Sequence, residues 1–588
     1  MLPQGQLRRW RVASADRSSA VTLAEALGCS PLLAALLLKR GCATPEAALA
    51  FLDAPLGALE DPNRMAGMPQ AVARLRRAVA HHEPILVCGD FDVDGVSGTA
   101  ILVDGLRRAG AEVAYRLPQR LKHGYGLPAE IVEEAAALGA RLLLAVDHGV
   151  SAHAACSLAG LRGLDVVICD HHLPGPALPP AIAVLNPKRD DCTYPFRELC
   201  GAAIAFKLLE AFFGPEGREE VLHLLELVAL ATVADLVPLL GENRILVKHG
   251  LSRMAATRRP GLRALADVAD VPLGNALDPW HVAFCLAPRI NAAGRLGDAT
   301  VAVRLLLTDD AVEAKDLAAE LDRQNGERQA LEGAILEEAL RQVETRHDLT
   351  RDRALALFSA NWHPGVLGIV ASRLADRFGR PTALIGMQQD EARGSARATA
   401  GWHVTEALRQ CDDLLLRYGG HRAAAGFSLV PDRVDAFRDR FLALAARDLT
   451  ADALVPVLDA DAEVSLDDLD LPVADSLARL APFGAGNREP LLVARDVQVM
   501  QFPRVVGKNH LKLRVRQSVR GRVIEAIAFN LGGWAAILAQ PAAPKMDLAF
   551  VAERNEWNGR AGLQLRVKDL RIGGRSTPPD TSTDPAVG

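Results

Sequence analysis

Three aspartates stand at alternate positions in the segment GDFDVDG, residues 89–95. An apolar run with strand character precedes them at residues 85–87, and residues 96–108 follow with helical spacing. Alternate side chains of an extended segment point to the same side, so Asp90, Asp92 and Asp94 converge. Such carboxylates repel one another unless a cation or strong hydrogen-bond donors neutralise them. The segment predicts either a metal site or an acidic turn that caps the helix, with Asp94 as N-cap.

Further potential ligands follow two later strands. Apolar runs at residues 85–87, 112–115, 142–146, 166–169 and 182–185 are separated mostly by helical stretches such as 128–138. This alternation predicts a parallel sheet covered on both faces, whose ligands bind beyond the carboxyl ends of the strands. Asp147 and His148 follow the third strand there, and Asp170, His171 and His172 follow the fourth. Each could be a cap or a core polar group, but together they favour one shared cation site.

A fourth acidic position lies in an apolar stretch, LVALATVADLVPL, residues 227–239. An unpaired carboxylate is costly to bury, so Asp235 is expected to face ions or donors. Aspartate and histidine ligands without cysteine suit manganese or magnesium better than a structural zinc. The number of carboxylates suggests two ions about 3.5–4 Å apart, the arrangement used for phosphoryl displacement.

Composition bounds the class of protein. The 588 residues imply several domains, and 49% hydrophobic with 24% charged residues are typical of a globular chain. A net charge of −5 means that any nucleic-acid site must be a local patch. The nine cysteines form no CxxC pair, which argues against a disulfide framework or structural zinc and fits a reducing cytoplasm. No signal peptide is recognised, and the longest apolar run, residues 32–38, is too short to span a bilayer.

The pattern along the chain predicts an α/β protein with six segments. A long helix with an apolar stripe is expected near residues 309–346, long enough to connect two domains across a cleft. The acidic stretch 459–475 is interpreted as a solvated connector. The segments are an N-terminal helical part (1–75), a parallel-sheet domain (76–305), the connecting helix (306–348), a second α/β domain (349–452), a small β-barrel (453–572) and a disordered tail (573–588).

One strand of the predicted barrel has a basic face. Residues 504–522 contain seven lysines or arginines, one histidine and no acid. Lys512, Arg514 and Arg516 alternate there with apolar residues. Such a face near aromatic rings suits a single nucleic-acid strand, tracked by its phosphates and stacked on the rings, whereas the alternative is an ordinary solvated face. The rings in question are Phe502, Phe529 and Trp557.

Four motifs in order give the chain a family resemblance: GDFDVDG (89–95), VDHG (146–149), DHH (170–172) and TVADLVPL (232–239). They resemble the DHH phosphoesterase superfamily, and the loops GSAR (394–397) and GGHRAAAG (419–426) resemble its DHHA1 domain. The full set, over about residues 40–570, is similar to the bacterial single-strand-specific exonucleases of that family. The resemblance implies a DHH domain, a connecting helix, a DHHA1 domain and an OB-like barrel.

The resemblance also implies roles for single residues. The metal ligands would be Asp92, Asp94, Asp147, His171 and Asp235, with Asp90 as a supporting carboxylate, Asp147 bridging two ions and His172 at the scissile phosphate. Two positions depart from the family pattern. Cys88 stands where some relatives place a ligand histidine, and His148 stands where asparagine or cysteine is expected. Whether either contributes to the metal site stays open at this stage.

Substrate contacts are expected from three further places. The small-residue segment PRINAAGR, residues 288–295, is either a tight helix contact or a phosphate and sugar site formed by Arg289, Asn291 and Arg295, and the family match favours the site. Arg120 matches a family phosphate contact. Ser395 and Arg397 would hold the terminal 5′ phosphate, with His421 across from the ions. Arg289 and His172 would offset charge developing on the phosphate.

The implied function is a 5′→3′ exonuclease on single-stranded DNA in recombination and repair, with two Mn²⁺ or Mg²⁺ ions. The expected chain is a monomer, with the single-strand-binding protein as a partner. One alternative is a phosphoesterase of the same superfamily on small oligonucleotides or pyrophosphate, which has no need of the basic barrel strand. Another is a nonenzymatic single-strand DNA-binding scaffold, although every matched ligand position holds Asp or His.

Overall fold

The computed structural model describes residues 8–14, 16–274, 277–399, 401–540, 545–557 and 559–572. They divide into two compact units. The first takes the described residues within 1–53, 455–481 and 488–588, and the second takes those within 54–454 and 482–487. The tail predicted to be disordered, residues 573–588, lies outside the described residues.

The described part of the N-terminal segment of the first unit begins with a strand, whereas the sequence predicted helices alone. Strand β1 (Arg9–Val12) pairs in parallel with residues 457–460. The helices α1 (Arg17–Leu27), α2 (Pro31–Lys39) and α3 (Pro45–Asp53) follow. The prediction was wrong at β1 because four residues carry too little periodicity, and the partner strand lies 448 residues further along.

The predicted parallel sheet forms the first α/β domain of the second unit. Its strands are β2 (Ile85–Gly89), β3 (Val113–Arg116), β4 (Leu142–Val146), β5 (Asp165–Cys169) and β6 (Ala183–Leu185). They are all parallel, in the order β3-β2-β4-β5-β6. Strands β2 and β4 are buried along their whole length, which is why they read as continuous apolar runs.

Helices surround this sheet and continue into the helical segment predicted after residue 240. They are α4 (Met68–Ala80), α5 (Val93–Arg108), α6 (Arg120–His123), α7 (Ala129–Ala137), α8 (His153–Leu161), α9 (Gly201–Phe213), α10 (Glu219–Leu222), α11 (Leu225–Ala234), α12 (Gly241–Ala255), α13 (Pro260–Val268), α14 (Pro279–His281), α15 (Ala287–Leu296) and α16 (Thr300–Leu307). A π-helical turn, Val282–Leu286, joins α14 to α15. The hydrophobic core of the domain includes residues from α5, α9 and α11.

The predicted long helix is present as α17 (Ala311–Arg346), with 36 residues. Asp310 caps it by accepting a hydrogen bond from the Val312 backbone N–H. Leu321 and Ile335 belong to its buried stripe. At 1.5 Å per residue the helix extends about 54 Å, from the first α/β domain to the second.

The second α/β domain is built on a mixed sheet. Its elements are β7 (Leu355–Phe358), α18 (Pro364–Phe378), β8 (Thr382–Gln388), β9 (Glu391–Arg397), α19 (Val404–Arg409), β10 (Arg417–Gly420), β11 (Ala424–Leu429) and α20 (Val434–Asp448). The strand order is β10-β11-β9-β8-β7, and only β7 and β8 run parallel. GSAR therefore ends an antiparallel strand, and His421 lies in the turn between β10 and β11.

The C-terminal elements of the first unit form a small barrel, as predicted. They are β12 (Val457–Ala460), β13 (Ala462–Glu463), α21 (Leu471–Ala478), β14 (Leu492–Val499), β15 (Arg504–Val506), β16 (His510–Arg516), β17 (Ile524–Ala528), α22 (Ala535–Leu538), β18 (Met546–Trp557) and β19 (Arg560–Ile572). The sheet runs β13-β14-β18-β19-β17-β16-β15, and pairing of β14 with β16 closes five of its strands into a ring.

The acidic stretch 459–475 is not a connector. It supplies part of β12, all of β13 and the start of α21, and Ala460 and Leu466 are buried. The interpretation as a connector was wrong because residues of this stretch pair as short strands and pack through buried apolar side chains.

No single helix in the described part of the chain is long and apolar enough to cross a membrane, although α1 and α2 together, bent by 112°, meet the same criteria.

Candidate metal centre

The loop between β2 and α5 holds the first three carboxylates. Asp92, not Asp94, is the N-cap of α5: its Oδ1 accepts hydrogen bonds from the N–H groups of Asp94 (2.9 Å) and Gly95 (3.2 Å). Gly95 is required here, because a Cβ at this position would overlap the backbone of Asp90. The segment is thus a tight turn, and Asp94 already lies in the first turn of the helix.

The turn distributes its carboxylates between two neighbouring groups of potential ligands. Within each group, one ligand atom per residue lies within 4.8 Å of the others. The groups are Asp90 with Asp92 and Asp147, and Asp94 with His171 and Asp235; a third group joins Asp147 to His171 and His172. His171 Nε2 lies 3.2 Å from Asp147 Oδ1, 3.6 Å from Asp235 Oδ2 and 3.8 Å from Asp94 Oδ2. The six positions predicted to hold metal therefore do come together.

The electrostatics of these groups call for cations. Burial, together with the neighbouring carboxylates, raises the pKa of Asp94 to about 6 and that of Asp235 to about 9. The same two causes raise the pKa of Asp147 well above its ordinary value. Burial lowers the pKa of His171 to about 3, so its imidazole is neutral and able to ligate.

Buried polar atoms without hydrogen-bond partners point the same way. They are Asp90 Oδ1, Asp147 Oδ1, Asp235 Oδ2 and both ring nitrogens of His171. Buried polar groups in proteins are almost always satisfied, so a cluster of unsatisfied acceptors indicates an ion. Carboxylate oxygens and a neutral imidazole are donors that suit Mn²⁺ or Mg²⁺. The residues present therefore fit a pair of divalent cations.

The N-terminus of α9 holds Asp94, and sequence reasoning did not find it. The backbone N–H groups of Gly201 and Ala202 donate to Asp94 Oδ2 and Oδ1, each at 2.7 Å. A Cβ at Gly201 would lie 2.8 Å from the Cα of Asp147. The glycine and small residues of LCGAAIA were the available signal, because close approach to a backbone requires them.

His172 is oriented by Asp170, which the sequence offered as a potential ligand, and by Tyr125, which was not predicted as a site residue. Its Nδ1 lies 2.7 Å from Asp170 Oδ1, and the Tyr125 hydroxyl lies 2.9 Å from the same nitrogen. Tyr125 also donates to the backbone carbonyl of Asp147, at 3.0 Å. Burial alone would raise the pKa of Asp170, but hydrogen bonds from His172 and Val150 bring it below its ordinary range. Asp170 is therefore an anion that fixes the imidazole.

Cys88 and His148 contact each other and belong to none of the three ligand groups found among the described residues. Cys88 Sγ lies 3.6 Å from His148 Nε2, and both side chains are fully buried. Burial raises the pKa of the thiol and lowers that of the imidazole to about 4. Both groups are neutral, and they pack behind the turn that holds the aspartates.

Three arginines gather beside the aspartates. The guanidinium of Arg120 lies over the Phe91 ring, 5.2 Å from its centroid. Arg295 donates to the backbone carbonyl of Gly365 at 3.1 Å, which joins the first α/β domain to the second. Burial and the charges of Arg120 and Arg397 lower the pKa of Arg295 to about 10. Arg120 is exposed and Arg295 and Arg397 are half-buried, and three guanidinium groups gathered in this way form a site for an anion.

Arg397 is positioned by the second α/β domain. Its Nη1 donates to Ser395 Oγ at 2.8 Å and its Nε donates to Ser372 Oγ at 3.1 Å. Gly368 of α18 leaves space for the guanidinium, since a Cβ there would strike it. Ser395 and Arg397 are thus brought to Arg120 and Arg295.

Three further residues were predicted to act in catalysis or substrate binding, namely Arg289, Asn291 and His421, and each has different surroundings. Arg289 donates to Asp322 Oδ1 of α17 at 2.9 Å and to the carbonyls of Cys285 and Val268. Asn291 Oδ1 accepts from the Val93 N–H at 3.2 Å and so supports the aspartate turn. His421 is exposed, in the turn between β10 and β11.

The basic strand β16 has the predicted alternation. Leu511, Leu513 and Val515 are buried, and Lys512, Arg514 and Arg516 lie on the other face. One assumption behind that prediction fails, because Glu525 of the adjacent strand lies 3.3 Å from Lys512 Nζ. Phe502 is 77% exposed and Phe529 is 49% exposed, while the side chain of Trp557 lies outside the described ones.

Comparison with known proteins assigns three parts of the chain to families. Residues 84–232 match the DHH family N-terminal domain, residues 351–447 the DHHA1 domain and residues 460–569 the RecJ OB domain. The chain is 41% identical to the single-stranded-DNA-specific exonuclease RecJ of Dickeya dadantii, over 88% of this chain and 93% of that protein.

Two crystal structures of RecJ from Thermus thermophilus are also similar. The complex with Mn²⁺ has a TM-score of 0.83 and 36% identity, covering 96% of this chain and 80% of that one. The complex with Mg²⁺ has a TM-score of 0.77 and 34% identity, covering 96% and 79%.

Proposed function

The chain belongs to the RecJ family, and we propose that it is a metal-dependent exonuclease that degrades single-stranded DNA from the 5′ end. The observation that carries this proposal is the set of unsatisfied acceptors shared by Asp90, Asp147, His171 and Asp235 at the carboxyl edge of a parallel sheet. The relatives' activity and the metals in the Thermus structures support the same function.

Two divalent cations, Mn²⁺ or Mg²⁺, would be held by Asp92, Asp94, Asp147, His171 and Asp235, with Asp90 in support. When bound, such ions polarise a phosphodiester, activate a water and stabilise the leaving oxygen. The α9 N-terminus keeps Asp94 in place through its two backbone hydrogen bonds. Asp170 and Tyr125 hold His172 so that its ring faces the same centre, where it can donate to a phosphate oxygen.

The arginine cluster, formed by Arg120, Arg295 and Arg397, would recognise the 5′ end of the strand. Arg120, Arg295 and Arg397, with Ser395, would bind the terminal 5′ phosphate, whose extra negative charge matches three neighbouring guanidinium groups. Because Arg295 contacts Gly365, the pocket is made by both α/β domains. Arg289 donates a hydrogen bond to Asp322 of α17, so we propose that it holds α17 in place in the absence of substrate.

The barrel would hold the strand through Lys512, Arg514 and Arg516. We also propose that the chain acts as a monomer in the cytoplasm, where its nine free cysteines remain reduced, and that it meets single-strand-binding protein on its substrate.

End-labelled DNA tests the proposal. A single strand labelled at its 5′ end should lose the label at once as a mononucleotide in Mn²⁺, whereas a 3′ label should appear on a descending ladder; neither should occur in EDTA. A phosphoesterase for small substrates would cleave dinucleotides or pyrophosphate and leave long strands intact. A scaffold would bind the strand and cleave nothing.

A further inference from the structure

Helix α6 is a single turn that joins an arginine of the proposed phosphate site to a tyrosine beside the candidate metal centre. The Gly124 N–H donates to the Arg120 carbonyl at 3.2 Å, and the Gln119 N–H donates to the side chain of His123 at 3.0 Å. Tyr125 follows this closed turn directly. The position of the turn therefore determines where the tyrosine stands.

Arg120 is the part of the turn that would meet a phosphate. Its side chain is exposed, and the guanidinium lies over the Phe91 ring, 5.2 Å from its centroid. Among the described residues it has no carboxylate partner within 4.0 Å, although the charges of Asp90 and Asp92 attract it from further away. A phosphate that reaches Arg120 therefore meets a guanidinium that no ion pair has neutralised.

The Tyr125 hydroxyl contacts two residues of the candidate metal centre. It donates to the Asp147 carbonyl at 3.0 Å and lies 2.9 Å from His172 Nδ1, and the two rings meet edge to face with their centroids 5.3 Å apart. Asp147 has a φ of +65°, a left-handed conformation that residues other than glycine rarely adopt. A hydrogen bond to its carbonyl helps to hold that conformation, so Tyr125 supports a predicted metal ligand and an imidazole together.

The surroundings of the turn leave it room to move. Tyr125 is 55% exposed, and Gly124 and Gly126 on either side of it have φ values of +77° and +105°. A Cβ on either glycine would meet nothing within 4 Å, so the backbone on both sides of the tyrosine can adjust. Behind the turn lies a cavity of about 700 Å³, lined by Lys122 and by residues of β8 and β9 that include Arg393. The turn is thus held from the front, by its contacts at the centre, and not from behind.

We propose that a phosphate bound at Arg120 fixes the α6 turn and with it Tyr125, so that His172 is held in place only when a phosphorylated 5′ end is bound. This inference rests on the proposed exonuclease function and makes Tyr125 a positioning residue. The terminal phosphate then speeds the first cut as well as anchoring the strand. A bond far from a 5′ end lacks this help, which favours removal of terminal nucleotides over internal cuts.

The first cut of a strand tests the coupling, because a cut on the 3′ side of the terminal sugar leaves a new 5′ phosphate on the shortened strand. Single strands with a 5′ phosphate or a 5′ hydroxyl, each labelled on the terminal nucleotide, are mixed with saturating enzyme in Mn²⁺. The wild-type rate of the first cut should be about tenfold lower for the hydroxyl end, since about one oriented hydrogen bond is lost. Tyr125→Phe should cut both strands at the same low rate.

Affinity in EDTA separates this coupling from phosphate binding alone. The 5′ phosphate should improve affinity by the same factor in the wild type and in Tyr125→Phe, because the arginines are intact in both. Arg120→Ala should lose the gain in affinity and the gain in rate. Tyr115→Phe removes a hydroxyl from β3, outside the turn, and should keep the wild-type difference in rate.

Two results would overturn the inference. One is a first cut that is equally fast for both ends in the wild type, and the other is an undiminished rate difference in Tyr125→Phe. A wild type that degrades neither strand in Mn²⁺ would instead refute the proposed exonuclease function.

Discussion

His171 Nε2 and Asp147 Oδ1 lie 3.2 Å apart, and neither atom has a hydrogen-bond partner. The imidazole is neutral, so Nε2 is an acceptor when the ring proton is on Nδ1, and the deprotonated Asp147 carboxylate offers a second acceptor beside it. A cation between them and their neighbours satisfies both.

Asp94→Ala should abolish Mn²⁺-dependent degradation and leave single-strand binding within a few-fold. In the proposed site the carboxylate would be a ligand, whereas most of the binding energy would come from the basic strand and the arginine cluster. Activity on labelled strands and fluorescence anisotropy measure the two properties. Asp267→Asn, on the exposed side of α13, is the matched control, and full activity of Asp94→Ala would contradict the ligand assignment.

The chain stripped of metal should become less stable as pH rises from about 5 to 9. The folded state holds protons on Asp94 and Asp235 up to pKa values of about 6 and 9, whereas the unfolded chain releases them near 3.8. Stability is lost between the unfolded and folded pKa of each group, so Asp94 contributes to the loss only up to about pH 6 and Asp235 up to about pH 9, each by at most about 1.4 kcal/mol per pH unit. Thermal unfolding in EDTA at several pH values measures the effect, and Asp235→Asn should flatten the slope.

Mn²⁺ should reverse that trend, because a cation binds the deprotonated carboxyls. The rise in the unfolding temperature on adding Mn²⁺ should therefore be larger at pH 8.5 than at pH 6. An equal rise at both values would show that the ion binds elsewhere.

Gly201→Ala should weaken Mn²⁺ binding and reduce activity at least tenfold. The new Cβ would meet Asp147 at 2.8 Å and displace either that ligand or the N–H groups that hold Asp94. Gly326→Ala is the matched control, since a Cβ there meets nothing within 4 Å and should stabilise α17 by up to about 1 kcal/mol. Calorimetric titration with Mn²⁺ separates the two variants.

Tyr125→Phe should lower kcat about tenfold with little change in KM. Without the hydroxyl, the His172 ring is held only by its hydrogen bond to Asp170 and can rotate about it, whereas the arginine cluster is unaffected. The pH profile of kcat should shift as well, because the hydroxyl contacts the imidazole. A change confined to KM would mean that Tyr125 binds substrate instead.

Replacing Lys512, Arg514 and Arg516 by alanine should weaken single-strand binding and flatten its dependence on salt, because fewer counterions are released. Lys512 should contribute least, since Glu525 already neutralises it in part. The control removes three arginines that pair with surface acids, Arg162, Arg440 and Arg447. If the affinity of the triple variant depends on salt as the wild-type affinity does, the basic face of β16 is an ordinary solvated face.

The site residues that could be predicted from the sequence are those that directly follow strands. Asp147 and His171 follow continuous apolar runs, and the carboxyl ends of parallel strands meet at one edge, so their convergence follows from periodicity alone. The roles of Gly201 and Tyr125 did not emerge, because a backbone N–H donor and a hydroxyl reaching across a loop leave no periodic signal. The choice of Asp92 over Asp94 as N-cap likewise depends on turn geometry.

Pairing between distant segments was the other limit. The acids of residues 459–475 suggested a solvated segment, but strand β12 in this stretch is paired with β1. The sequence pattern of each strand gives no indication of which strand it pairs with. Helix α17 was predicted to within a few residues because its stripe extends over many turns.

Strand β1 has a consequence for biosynthesis. On the ribosome, residues 9–12 emerge first and their partner β12 only 448 residues later, after on the order of a minute at typical elongation rates. Through that interval the amide edge of β1 has no strand to join, whereas the helices and sheets of residues 54–454 can already assemble. The barrel unit is therefore completed after residues 54–454, and the edge of β1 stays unpaired until residues 457–460 have been synthesised.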